Sequence, residues 1–286
     1  RQVSLRRSEA AMIVVITAEE VQQQLSVAGE TLSAPDDADF EEAISTRSRT
    51  INVALIGNPN SGKTSLFNAI SGGHEHVGNY SGVTVDAKRG EYRYGGYRFV
   101  ITDLPGTYAL SAYTPEELYV RRHLVNDTPD VVVNAVVASN LERNLYLTTE
   151  LIDIDPKMVV ALNMYDELEA SGAVLDYEHL GAMLGVPMVP VVAKTGRGLE
   201  ALLDTVIAVY ENRDPRVRHI HINNGPVVEQ ALRPLYERLR SDRDELPKHF
   251  PPRYFAMKLL ERDKEVEAQL ADCPHSVSYT HLRAHE

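Results

Sequence analysis

The chain has 286 residues, 43% of them apolar, enough for at least one full core, and a prior of about 150 residues per domain suggests one large domain plus something smaller. A net charge of −12 argues against nucleic acid as the main partner, because phosphate neutralisation needs clustered Lys and Arg, and one cysteine, Cys273, excludes an internal disulfide framework. No window holds the ~18 to 20 consecutive apolar residues that a membrane-spanning helix needs.

Residues 1–16 alternate at Val3, Leu5 and then Met12 to Ile16, which reads as the end of a truncated small β module. Residues 17–50 are polar and acidic, the composition of a linker. From Ile51 strand patterns alternate with helical ones, which predicts an α/β fold in residues 51–212. The expected strands are Ile51–Ile56, Ala87–Tyr94, Tyr97–Thr102, Val131–Val137, Met158–Leu162 and Pro187–Val192. The expected helices begin near Thr64, Pro115, Leu141, Tyr177 and Leu199. Such a chain makes a mostly parallel six-stranded sheet with helices on both faces. Only Gly95-Gly96 separates the second and third strands, so one strand should run antiparallel. In residues 213–275 helical periods replace strand patterns, which predicts a separate small helical subdomain. The tail, residues 276–286, carries no continuing period and resembles translated adapter sequence, so it is expected to be foreign.

Three motifs carry chemistry. The loop Gly57-Asn58-Pro59-Asn60-Ser61-Gly62-Lys63-Thr64-Ser65 has the spacing G-x-x-x-x-G-K-S/T between an expected strand and helix. Its glycines let the backbone wrap phosphates, Lys63 reaches the outer phosphates, and Thr64 can hold magnesium. Next, Asp103 ends a strand before Leu-Pro-Gly. It suits the water shell of a magnesium ion, with the Gly106 amide sensing a γ-phosphate, although a strand-ending Asx turn would look the same locally. Finally, Asn163-Met164-Tyr165-Asp166 follows a later strand and matches N-x-x-D, in which a carboxylate accepts two hydrogen bonds from guanine. Together these predict a phosphate-loop GTPase fold that takes GTP or GDP with magnesium in preference to ATP. The last recognition loop would be "VVAKTGRG", with the Ala193 backbone on the guanine oxygen and Lys194 along the base. Between the phosphate loop and Asp103 lies "GHEHVGNYSGVTVDAKRG", read as a mobile switch loop in which Thr84 offers a hydroxyl to magnesium; His74 and His76 read as an exposed loop tip.

The stretches "GNPNSGKTSLFNAI", "HVGNYSGVTVDAKRG", "DLPGTYALS", "SNLERNLYLT", "ALNMYDE" and "PPRYFAMKLLERD" resemble the ferrous iron transport protein B family of bacteria, in its cytosolic GTPase region and helical regulatory subdomain. The opening "VSLRRSEAAMIVV" resembles the end of ferrous iron transport protein A, which suggests a fusion. The resemblance implies a GTP-hydrolysing switch for iron(II) uptake at the cytoplasmic face of the inner membrane, with a membrane region and a protein A-like module as partners and homo-oligomers left open. It also implies that Asn60 coordinates a potassium ion beside the phosphates, where Asn60, Lys63, Thr84 and Gly106 serve hydrolysis. Val137 and Val192 depart from the Asp and Ser that the family often has at those places. Two alternatives stay open: a soluble GTPase of ribosome assembly or tRNA modification, and a GTP-gated interaction module that does not hydrolyse.

Overall fold

A computed structural model describes residues 49–72, 75–78, 87–111, 114–242 and 251–271. Seven strands form one sheet: β1 (Thr50–Gly57), β2 (Glu75–Gly78), β3 (Ala87–Tyr94), β4 (Tyr97–Asp103), β5 (Val131–Val137), β6 (Met158–Asn163) and β7 (Met188–Pro190). They lie in the order β2-β3-β4-β1-β5-β6-β7. Pairing is parallel from β4 through β1, β5 and β6 to β7, while β3 is antiparallel to both β2 and β4. One strand, β3, therefore opposes the rest, as its two-residue turn requires.

The central strands are apolar on both faces, which is what a parallel strand covered by helices on each side demands. In β1, Ile51, Val53 and Leu55 face one core, while Ala54 and Ile56 face the other. The first core is closed by α1 (Lys63–Ser71) through Leu66, Phe67 and Ile70, and by α6 (Leu199–Tyr210) through Leu202, Leu203 and Val206. The second is covered by α2 (Pro115–Arg122) and α3 (Leu141–Ile154), with α4 (Tyr165–Ala170) and α5 (Tyr177–Leu184) towards β7. A capping box starts α2: the Thr114 side chain accepts from the Glu117 amide, and the Glu117 carboxylate accepts from the Thr114 amide.

Three details differ from the sequence expectation. The segment expected to be a loop contributes β2, whose backbone pairs Glu75 with Gly90 and His76 with Arg89, so His76 sits in an edge strand and not at a loop tip. The neighbouring strand supplied the pairing template that a Gly- and His-rich window does not reveal. His74, expected at a loop tip, and Thr84, expected on magnesium, lie outside the described residues. The last strand is shorter than expected, Met188–Pro190, although the Val191 amide beyond it still donates to Leu162 O; Pro190 is tolerated because β7 is an edge strand. The short helix α4 was not anticipated. The expected helical segment is present as α7 (Pro226–Ser241), α8 (Pro252–Leu260) and α9 (Lys264–Leu270), whose Leu232, Leu235, Tyr254, Phe255 and Val266 join the core on the α3 face of the sheet.

Candidate phosphate and base site

The phosphate loop leaves the end of β1 and enters α1 through backbone geometry that few residues can adopt. Gly62 has φ +76°, and a Cβ there would lie 2.3 Å from Asn163 Nδ2. A Cβ on Gly57 would lie 2.6 Å from Ala135 O. Asn60, at the tip, also has positive φ, 65°, which Asn tolerates better than other side chains. No side chain caps the N-terminus of α1, so its first amides point outward as an anion site.

Lys63 and Asp103 are both buried and ion-paired to each other. Asp103 ends β4, whose parallel register with β1 sets it opposite Leu55. The expected lysine and aspartate are thus brought together, but their partner in this structure is one another. Beyond Asp103, the Leu104 amide donates to Leu55 O at 3.0 Å and the Thr107 amide donates to Gly57 O at 3.1 Å. These bonds lay the loop bearing Gly106 along the phosphate loop, and a Cβ on Gly106 would come within 3.2 Å of Pro59. The Thr107 hydroxyl donates to Ala109 O at 2.6 Å.

Asn163, expected to help select guanine, bridges two loops. Its side chain is buried; Nδ2 donates to Ser61 O at 2.9 Å and Oδ1 accepts from the Ala193 amide at 3.1 Å. One amide therefore ties the phosphate loop to the last recognition loop. Met164 holds the turn with φ 55°, and Asp166 lies exposed in the first turn of α4. Lys194 is exposed beside buried Ala193. Val192, in place of a serine, is buried and its amide donates to Arg197 O at 2.9 Å, while the Thr195 hydroxyl donates to Val192 O at 3.3 Å. Thr64, Ser65 and Asn60 are exposed at the mouth.

Sequence reasoning singled out "SNLERNLYLT" but gave it no role, and the structure supplies one. Asn58 Nδ2 donates to Arg143 O at 3.2 Å, and the Arg143 guanidinium lies 4.1 Å from the centre of the Tyr108 ring. Asn144 Nδ2 donates to Asn140 O at 2.7 Å, and its Oδ1 accepts from the Val137 amide. The start of α3 thus braces the phosphate loop, the end of β5 and the loop after β4 at once.

The donor set suits a nucleotide with its metal. Amides and a buried lysine meet phosphate oxygens, and hydroxyl and carboxylate oxygens suit a hard divalent cation. Asn58 Oδ1 and Ser61 Oγ are buried in the loop without a hydrogen-bond partner. Among the described residues no helix is long and apolar enough to cross a membrane.

Comparison with known proteins agrees with this geometry. Residues 51–206 match the model of ferrous iron transport protein B, and residues 225–281 match that of the FeoB cytosolic helical domain. A Porphyromonas gingivalis protein, the Fe(2+) transport protein A/Fe(2+) transporter FeoB fusion protein, is 51% identical over 246 residues, 86% of this chain and 29% of that protein. The Fe(2+) transporter FeoB of Staphylococcus aureus is 35% identical over 219 residues, 77% of this chain and 32% of that protein. The chain thus spans about a third or less of the length of these curated relatives. Among solved structures, an S. thermophilus NFeoB variant bound to mGDP superposes with a TM-score of 0.73 at 35% identity, covering 82% of this chain and 88% of that one. The cytosolic domain of T. maritima FeoB in apo form gives 0.71 at 33% identity, covering 82% and 93%. With its phosphate loop, N-x-x-D strand end and helical segment all inside these matches, the chain belongs to the ferrous iron transport protein B family.

Proposed function

We propose that this chain is the nucleotide-handling region of a longer iron(II) transporter, binding GTP and GDP with magnesium, hydrolysing GTP slowly, and acting as a switch for iron(II) uptake at the cytoplasmic face of the inner membrane. The observation that carries the reading is the buried Asn163 amide, which joins the phosphate loop to the base loop so that one ligand can engage both. The relatives whose structures name GDP or mGDP support it. The partners would be the membrane region of the same protein and a protein A-like module, as in the fusion relative. The domain limits follow the same reading: 51–212 for the GTPase part and 213–275 for the helical part.

In this reading Lys63 leaves Asp103 for the phosphates. Phosphate-loop amides from Gly57 to Ser65 hold the chain of phosphates, Thr64 and Thr84 ligate magnesium directly, and Asp103 does so through water. The Gly106 amide faces the γ-phosphate. Asp166 accepts from guanine, the Ala193 amide meets the guanine oxygen, and Met164 and Lys194 flank the base. Magnesium and potassium, when bound, offset charge that develops on the phosphates. Asn60 supplies the potassium ligand. Thr107 stands directly after Gly106 and its hydroxyl donates to Ala109 O, so in this reading no side chain there orients water and turnover is slow.

Titration calorimetry with GTP, GDP and ATP tests the binding. Expected is clear preference for both guanine nucleotides, and equal affinity for ATP would defeat it. Single-turnover cleavage then separates a GTPase from a GTP-gated module that does not hydrolyse.

A further inference from the structure

A line of buried polar side chains runs between β5 and α3, away from the phosphates. Asn134 of β5 and Thr148 of α3 are 1% and 0% exposed, although Val132, Val136, Leu147 and Leu151 beside them along the same two elements belong to the apolar core. Asn134 Nδ2 donates to the Thr148 hydroxyl at 2.8 Å, and that hydroxyl donates to Asn144 O, one turn earlier, at 3.5 Å. Asn144 Nδ2 in turn donates to Asn140 O at 2.7 Å, at a helix start whose N-cap side chain makes no capping bond. The line ends beside Arg143, whose carbonyl accepts from Asn58 Nδ2 of the phosphate loop.

We propose that Asn134 and Thr148 are positioning residues for the phosphate loop: their hydrogen bond fixes where α3 stands along β5, and so where the Arg143 carbonyl meets Asn58. The consequence for nucleotide binding rests on the function proposed above, but the coupling from β5 to Asn58 belongs to the nucleotide-free chain as well. A buried hydrogen-bonded pair adds little stability over an apolar pair of the same shape, so stability alone does not explain a polar pair here. What the bond adds is direction. It weakens steeply off axis, whereas apolar side chains repack at small cost and lose uniqueness before stability. Asn58 depends on that placement: it is 3% exposed, its Oδ1 has no partner, and Arg143 O is the acceptor that its Nδ2 reaches. A small slide of α3 lengthens a bond that already measures 3.2 Å, and the loop loses its hold on the helix.

The test replaces both partners at once in the full chain. Asn134→Leu with Thr148→Val keeps the shape, orphans neither member of the pair and removes the unpartnered Asn134 Oδ1, so this double variant should fold with a melting temperature close to the parent's. In the nucleotide-free state, nitrogen-15 NMR should show its Asn58 side-chain amide protons exchanging with water faster by about threefold or more, a factor within the range of coupling between contacting groups. Thr148→Ser keeps the hydroxyl and should match the parent. GDP affinity, read by calorimetry, should fall in the double variant, and in an Asn58→Ala background the same two substitutions should weaken it no further. Unchanged Asn58 exchange in the folded double variant would overturn the proposal, and so would an equal loss of GDP affinity in the Asn58→Ala background. Should the double variant not fold, Asn144→Ala, nearer the loop, takes its place with the same two expectations. If the parent bound no guanine nucleotide, the functional reading would fail while Asn58 exchange still decided this one.

Discussion

Lys63 and Asp103 are ion-paired, buried, across the junction of the phosphate loop and the loop after β4. Breaking a buried pair by removing one partner costs about 3 to 5 kcal/mol, because the other charge is left uncompensated. Asp103→Ala should therefore lower the melting temperature of the nucleotide-free chain. Lys63→Ala should do so as well and should also abolish tight nucleotide binding. A phosphate ligand gives Lys63 a new partner, so GDP should restore more stability to Asp103→Ala than to Lys63→Ala. Thermal denaturation with and without GDP measures this, and an Asp103→Ala chain that melts like the parent would count against the pairing.

Asn163 and Asp166 share one motif but should fail differently. Asn163 is buried between two backbone groups, whereas Asp166 is exposed and, in the proposed function, accepts from guanine. Removing the Asn163 amide orphans Ser61 O and the Ala193 N–H, at about 1 to 3 kcal/mol for each buried group left unpaired. Asn163→Ala should thus lower stability and weaken every nucleotide. Asp166→Ala should leave stability alone and cost roughly tenfold or more in guanine affinity, the loss of a hydrogen bond to a charged group. Calorimetry beside thermal melts separates them; identical profiles would return Asn163 to the role of base reader.

Local pattern carried most of the fold. Apolar runs marked β1, β5 and β6, and four of the five expected helix starts fall on the observed first residue, with α1 beginning one residue early at Lys63. What was missed has little local signal. In α4 only Leu168 is buried, too little for a period, and β2 exists because β3 offers an edge. At the site, residue types and spacing gave Lys63, Asp103 and Asn163, but not what they touch. The Asn163 bond to Ser61 spans 102 residues and the Leu110 bond to Glu150 spans 40, and only the sheet order brings such partners together.

Arg121 and Asp263 link α2 to the start of α9 by two hydrogen bonds, 2.6 and 2.9 Å, with both side chains buried. Burial raises the Asp263 carboxyl, but Arg121 and the Val266 amide outweigh it, and the net shift is down. A folded value below the unfolded one means that this stability is fully present above the ordinary aspartate range, about 3.9, and is lost as pH falls through the depressed folded value. Asp263→Asn keeps an acceptor for the α9 cap and removes the charge, so its acid-unfolding curve should lack that loss. Arg121→Met should destabilise by about 3 to 5 kcal/mol, and adding Asp263→Asn should recover part of it. Urea unfolding from pH 3 to 7 reads both effects; an unaltered acid limb in Asp263→Asn would refute the assignment.

The final prediction concerns Asn60 and potassium, where the backbone alters the choice of variant. Asn60 sits exposed at the tip of the phosphate loop with φ 65°, so two explanations compete for an asparagine there. Either its side chain coordinates a monovalent cation beside the phosphates, or the residue merely tolerates a left-handed turn. Asn60→Ala confounds them, because alanine in that conformation costs about 1 to 2 kcal/mol by itself. Asn60→Gly keeps the turn and deletes only the side chain. If Asn60 is a cation ligand, the parent should turn over GTP faster in potassium than in sodium, and Asn60→Gly should lose that difference while binding GDP as before. If it is a turn residue alone, Asn60→Gly should keep the parent's salt response and only Asn60→Ala should weaken nucleotide binding. Initial rates of phosphate release in the two chloride salts, at matched ionic strength, decide between them.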